Sequence, residues 1–211
     1  MTLRPAEQAL DHLLIGSPDL ASGVAWVAER LGVTPAPGGR HPGLGTHNAL
    51  AGLGGARYLE VIAPDPDGAG LAAPFAWLAR VTAPCLSTWC ARADDLAALE
   101  SALDAKGLGH SGIVEGSRQR PDGTLLEWRT LFPAQTGGGL VPFFIAWRDP
   151  TRHPSRTLGG SLHLEGLRAE HPEPESVKRA LRCSGIDLEI ATEGTPRLRA
   201  TIRGSGGAIE F

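Results

Sequence analysis

At 211 residues the chain has room for one large domain or two fused modules. With 42% hydrophobic and 20% charged residues it has an ordinary globular composition, and no apolar run approaches the roughly 18 residues of a membrane span. The net charge of −3, with no Lys/Arg stripe able to neutralise several phosphates, argues against nucleic acid as a partner.

The first ten residues carry Arg4 and Glu7 and lack the apolar core of a signal peptide, so the expected compartment is the cytoplasm. His12 to Ile15 reads as a strand. Asp19 then caps a helix running to about Leu31, and Gly32 ends it. A Pro/Gly loop, Pro35 to Gly45, leads into short strands near Thr46 to Leu50 and Tyr58 to Ala63. The same order recurs. Leu86 to Ala91 reads as a strand, Asp94 or Asp95 to Lys106 as an amphipathic helix, and Ile113 to Gly116, Leu125 to Leu131 and Val141 to Trp147 as strands between turn-rich segments. A third, shorter round places a strand at Ser161 to Arg168, a helix at Glu173 to Arg182, and strands at Asp187 to Ile190, Arg197 to Ile202 and Ala208 to Phe211. Cys85, Cys90 and Cys183 are odd in number and form no C-x-x-C pair, which suggests neither a disulfide framework nor a thiolate zinc site. No G-x-S-x-G elbow, P-loop or dinucleotide-binding turn occurs in a suitable context, so no nucleotide cofactor is expected.

This period implies stacked βαβββ units, each unable to bury its sheet face alone. The expected fold class is α+β, with curved sheets that must pair. Matching Asp19-Leu20 to Asp95-Leu96 sets His12 opposite Thr88. Matching Asp65-Pro66 to Asp149-Pro150 sets Glu60 opposite Phe144.

Several ordered segments resemble a glyoxalase-like domain of the vicinal oxygen chelate superfamily. They are Asp11-His12-Leu13 with Ser17-Pro18-Asp19-Leu20, Gly38-Gly39-Arg40-His41-Pro42 with Gly45-Thr46-His47-Asn48, and Tyr58-Leu59-Glu60-Val61-Ile62. Arg120-Pro121-Asp122-Gly123, Trp128-Arg129, Val141-Pro142-Phe143-Phe144-Ile145 and His153-Pro154 extend the set. The resemblance implies a glyoxalase-like domain over residues 1–154, built of βαβββ modules at about 9–66 and 84–150 that form curved, barrel-like mixed sheets around a cavity, with residues 155–211 forming a third, shorter module that continues or caps the fold. It also implies that two chains often complete a cavity as a homodimer. Activities in the superfamily range over lyases, isomerases, dioxygenases and sequestering proteins, so the fold alone does not choose among them.

The resemblance places metal ligands at His12 and Glu60. An imidazole and a carboxylate suit Zn, Fe, Mn, Co or Ni, although Thr88 and Phe144 at the matching places add no obvious ligand. The alternative is that His12 and Glu60 satisfy each other by hydrogen bonding without a metal. A four-ligand version would add His163 and Glu210 from the third module. Arg40 and Asn48 are candidates for gripping a substrate anion, and His41 joins Glu60 as a candidate proton carrier because imidazole titrates near neutrality. Trp89, Phe144 and Arg129 complete the candidate substrate-binding set, each with an ordinary packing role as the alternative. The expected function is a glyoxalase-like enzyme of lyase, isomerase or dioxygenase type acting on a small oxygenated metabolite, with a metal-free sequestering protein as the competing reading.

Overall fold

The computed structural model describes residues 3–211. The first module comprises β1 (Leu10–Gly16), α1 (Leu20–Leu31), β2 (Ala36–His41), β3 (Thr46–Gly52) and β4 (Tyr58–Pro64). Asp19 caps α1 by accepting the Ser22 N–H at 2.8 Å, and Gly32 ends the helix at φ 69°, a left-handed conformation that favours glycine. The segment Pro35 to Gly45 is therefore not wholly a loop, as the Pro/Gly content suggests. Its first part is the edge strand β2, where ladder positions are needed on one side only and Pro and Gly are tolerated.

The second module comprises β5 (Cys85–Arg92), α2 (Leu96–Asp104), β6 (His110–Gln119), β7 (Leu125–Pro133) and β8 (Phe143–Trp147). Asp95 caps α2 as Asp19 caps α1. The eight strands form one mixed sheet in the order β2-β3-β4-β1-β5-β8-β7-β6. In each module the first strand runs parallel to the last, and β1 and β5 meet antiparallel at the centre, so the halves are related by an approximate twofold axis. The sheet curls until its edges approach, and Arg118 on β6 donates a hydrogen bond to the carbonyl of Gly38 on β2. This is the α+β, barrel-like architecture expected from the repeat and the resemblance.

Side-chain parity sorts this sheet into two faces. Leu14, Ile62, Cys90, Leu126, Trp128 and Ile145 pack inside the curl, and Phe75 and Leu78 from a 3-10 segment, Ala73–Arg80, join them. Leu13, Ile15, Leu59, Val61, Trp89 and Phe144 face outward into a second core beneath the helices. The remainder of the chain, β9 (His163–His171), α3 (Pro174–Cys183), β10 (Glu189–Thr192), β11 (Arg197–Gly204) and β12 (Gly207–Glu210), does not lengthen the large sheet. It forms a four-stranded sheet ordered β10-β9-β11-β12, whose Leu167, Ala169, Leu198 and Ala200 share the outer core. Here the short strand Ile186–Asp187 after the helix pairs with Arg4–Pro5, and β10 then pairs directly and parallel with β9, unlike the βαβββ order of the first two modules. Among the described residues, no helix is long and apolar enough to cross a membrane.

Candidate functional site

The curl encloses a cavity of about 300 Å³. Its wall is largely apolar and aromatic, with Tyr58, Phe75, Trp128, Phe132, Phe143 and Trp147 contributing rings, and its polar groups gather at His12, His41, Asn48, Glu60 and Arg118. A concave apolar site with few convergent polar groups is the usual form of a small-molecule pocket.

The polar groups form a chain that starts behind the cavity wall. Asp11 is fully buried; its Oδ1 lies 2.8 Å from His12 Nδ1, and its Oδ2 accepts from Trp147 Nε1 at 3.2 Å and lies 3.1 Å from His153 Nε2. The backbone N–H of Ser155 donates to His153 Nδ1, which leaves His153 Nε2 to donate to Asp11. Arg92 Nε stands 3.4 Å from the same Asp11 oxygen. His12, only 3% exposed, points its Nε2 into the cavity, 3.2 Å from Glu60 Oε2, and stacks on Tyr58 with ring centroids 4.5 Å apart. Asn48 Nδ2 donates to Glu60 Oε1 at 2.6 Å and lies 3.4 Å from His41 Nε2, while His41 Nδ1 is 2.9 Å from Thr46 Oγ1. Room for the Asn48 amide exists because residue 38 is glycine: a Cβ there would lie 2.1 Å from Asn48 Oδ1.

The electrostatics follow from this chain. Burial alone would lower the pKa of the His12 imidazole, but the flanking Asp11 and Glu60 carboxylates outweigh it and raise the value from 6.5 to about 9. Burial would raise Glu60, yet His12 and Asn48 hold its carboxyl down at about 2. Asp11 is likewise held well below the usual carboxylate range against its burial, by His12 and His153. His41 moves the other way, to about 4, chiefly through burial, with Arg118 and His12 adding to the effect. At neutral pH the site therefore holds an imidazolium between two carboxylates, beside an uncharged second imidazole.

The candidates from the sequence divide by parity. His12, His41, Asn48 and Glu60 line the cavity. Trp89 and Phe144 do not: they face the outer core, where the Trp89 indole donates to the Leu140 carbonyl at 2.8 Å. Arg129, two-sided neighbour of the inward Trp128 and Thr130, is exposed on the opposite face of β7. Arg40 lies outside the lining and pairs with Asp65 at 3.2 Å and Asp67 at 2.5 Å. Of the proposed extra ligands, His163 is exposed on β9, and Glu210 pairs with Arg168 at 2.7 Å on the separate sheet.

Strand pairing also corrects the repeat alignment at its last strand. β1 ends at Gly16 with its helix starting at Leu20, and β5 ends at Arg92 with its helix starting at Leu96, so His12 corresponds to Thr88. Tyr58 on β4 pairs with His12, and Phe143 on β8 pairs with Cys90, two residues beyond Thr88, so Glu60, two residues beyond Tyr58, corresponds to Phe143 rather than Phe144. The second module thus presents a threonine and a phenylalanine where the first presents an imidazole and a carboxylate, and the buried Cys90 is the cross-strand neighbour of His12. Burial pushes the Cys90 thiol well above its usual pKa, away from the thiolate that a metal requires. Among the described residues no three His, Cys, Asp or Glu side chains group so as to hold a metal ion. The donor set does not fit a chelated divalent metal, because His12 and Glu60 already satisfy each other and the opposite module offers no matching ligands.

Sequence reasoning missed Asp11, Arg118, Trp147 and His153 as members of the site. Asp11 is hidden by a β-bulge: the pairing of β1 with β5 slips between Leu10 and His12, so Asp11 departs from strict alternation and its carboxylate comes beside the ring of its neighbour.

The profile of a family described as glyoxalase-like domain matches residues 10–183. The chain belongs to this glyoxalase-like family. Its paired βαβββ modules are those of the vicinal oxygen chelate superfamily. Among solved structures, a hypothetical protein from Staphylococcus aureus is similar at 15% identity and a TM-score of 0.67, with 96% of this chain and 84% of that chain covered. A methylmalonyl-CoA epimerase from Mycobacterium tuberculosis is similar at 21% identity and a TM-score of 0.46, over 70% of this chain and 91% of that one. The Streptomyces coelicolor methylmalonyl-CoA epimerase in complex with 2-nitronate-propionyl-CoA gives 19% identity and a TM-score of 0.47, over 67% of this chain and 98% of that one. No curated protein sequence matches.

Proposed function

We propose that this glyoxalase-like protein binds a small carbonyl compound in the aromatic cavity and moves a proton at the carbon next to the carbonyl, an isomerase-type reaction run by His12 and Glu60 without a metal. The observation that carries this reading is the charged pair of His12 and Glu60, buried in the cavity wall with Asp11 locking the imidazolium from behind.

At 3.2 Å the contact between His12 Nε2 and Glu60 Oε2 is longer than the 2.7–2.9 Å usual for such charged pairs. A carbonyl oxygen entering the cavity would compete for the His12 N–H. Once His12 donates to that oxygen, Glu60 loses the partner that most depresses its pKa and becomes a better base. The C–H bond then breaks, its proton passes to a Glu60 oxygen, and its electron pair becomes the enolate, whose oxygen the imidazolium stabilises. Return of the proton from Glu60 to the α-carbon after the enolate has turned in the cavity, or to the γ-carbon of a β,γ-unsaturated compound, completes the isomerisation and restores the ion pair. Asp11 keeps His12 in place and charged throughout. Asn48 holds the second Glu60 oxygen so that the carboxylate keeps its orientation.

The competing reading, a sequestering protein, is favoured by Thr88 and Phe143, neither an acid nor a base at neutral pH, at the matching places of the second module and by the occupied state of both Glu60 oxygens. Incubating the protein in D2O with a panel of small carbonyl compounds bearing α-hydrogens, and following those hydrogens by proton NMR, separates the two. Catalysed loss of an α-hydrogen signal in wild type and its abolition in Glu60→Gln is the expected result. Binding without exchange in both proteins would leave sequestration as the function.

A further inference from the structure

We propose that Arg118 is the anchor for an anionic group, so that the compound entering the cavity is a carboxylate, with its apolar body against the aromatic wall. This rests on the reading that the cavity receives a small molecule and adds the class of that molecule.

Arg118 is 4% exposed and the only arginine among the described residues that is buried. It sits on β6 opposite the inward-facing Leu126 of β7, so it lies on the cavity side of the sheet, and it lines the cavity. Among the described residues its one hydrogen bond is to the Gly38 carbonyl, and no carboxylate lies within ion-pair distance of it. Every other charge near the pocket is answered. Asp11 faces His12, His153 and Arg92; Glu60 faces His12; and Glu115, exposed at the rim, pairs with Arg148 at 3.3 Å. The guanidinium of Arg118 is the charge left over.

A buried cation without a counter-ion is costly unless something neutralises it, and a planar guanidinium fork matches a carboxylate better than any other common group. The backbone carbonyl of Gly38 takes one of its five donors, a contact that by itself would only fasten β6 to β2 at the seam of the curl. Arg118 lines the cavity together with His12, His41 and Glu60. A carboxylate on Arg118 would thus share the cavity with the His12 and Glu60 pair, which suits a small acid that also carries a carbonyl. The rings of Trp128, Trp147, Phe132 and Phe143 would receive an aromatic or branched body.

Phenylacetate and phenylacetamide have nearly the same shape and differ in charge, so their relative affinity reads the proposal directly. Titration by calorimetry, with tryptophan fluorescence as a second signal, is expected to show wild type binding phenylacetate at least about tenfold more tightly than the amide, the size of one charge-assisted contact. Arg118→Gln is expected to bring the two affinities together while leaving amide binding in place, a result that a seam-fastening role would not produce. If that variant does not fold, Arg118→Lys, which keeps the charge but not the fork, reads the same quantity and is expected to lose severalfold of the preference. Equal affinities in wild type, binding of neither probe, or a preference that survives in the Arg118 variants would overturn the assignment. Deuterium exchange is read separately, in Glu60→Gln, so failure of the proton-transfer reading and failure of this one appear in different experiments.

Discussion

Changing Asp11 to Asn removes one charge while keeping the side chain's shape, and it strikes the point on which the site's electrostatics rest. The carboxylate is fully buried and receives His12 at 2.8 Å, His153 at 3.1 Å and Trp147 at 3.2 Å, with Arg92 at 3.4 Å. An amide accepts through one atom only, so its nitrogen must face at least one donor at this fully buried position. Removing one partner of a buried ion pair costs about 3–5 kcal/mol. In a chain of this size each kcal/mol moves the melting temperature by about 2–4 °C, so a fall of about 10 °C is expected. Urea unfolding at pH 7 of wild type, Asp11→Asn, His12→Gln and the double variant gives the coupling between the two side chains, expected to exceed ~1 kcal/mol. A loss below ~1 kcal/mol in the single variant, or a coupling below ~0.5 kcal/mol, would refute the claim that Asp11 supports a charged His12.

Three further outcomes follow from the same geometry. The folded His12 pKa is raised from 6.5 to about 9, so its contribution of about 3 kcal/mol is complete below pH 6.5 and is lost as the pH climbs through 9. His41, lowered to about 4, resists protonation in the folded state, so stability also declines as the pH falls from 6.5 toward 4. Urea midpoints between pH 4 and 10 test both limbs, and an alkaline limb unchanged in His12→Gln would contradict the first. Gly38→Ala places a Cβ 2.1 Å from Asn48 Oδ1, so Asn48 must release Glu60, at a cost of about 1–3 kcal/mol and with the Glu60 pKa rising toward 4.5; thermal melts and carboxyl carbon NMR read the two effects. Phe144→Ala is expected to cost about 3–5 kcal/mol in stability and to leave phenylacetate affinity unchanged, whereas Phe143→Ala, on the cavity wall, weakens binding; the reverse pattern would mean that the two faces of β8 have been exchanged.

The repeat, the two helix caps and the α+β class were legible in the sequence because each rests on local signals: Asp19 and Asp95 before apolar periodic segments, Gly32 after one, and short strands between turns. Placement of His12 and Glu60 on a common wall came from the resemblance to glyoxalase-like domains, and alternation supplied their same-face neighbours Leu14, Tyr58 and Ile62. Errors arose where alternation had to be carried across the repeat. Asp-Pro pairs are turn residues, and loop lengths differ between the modules, so matching them shifted β8 by one residue and put Phe144 where Phe143 belongs. In a strand a shift of one reverses the face, which is why Phe144 read as a candidate cavity residue and lies in the outer core. Trp89 lies in that core too, where aromatic size suits dry packing as well as a pocket wall. Arg118 escaped notice because β6 reads as four residues, Ile113 to Gly116, and extends over His110–Gln119, with polar residues through its second half. Its inward direction is set by pairing with Leu126, a long-range fact with no local signature.

The central claim is that His12 is an imidazolium clamped by Asp11 and presented to the cavity beside Glu60. Nitrogen-15 NMR of the His12 side chain at pH 7.5, assigned through His12→Gln, tests it most directly. Two protonated ring nitrogens with imidazolium shifts, persisting until the pH approaches 9, are the expected result. A neutral ring with one bare nitrogen at pH 7.5 would contradict the claim and remove the electrophile from the proposed reaction.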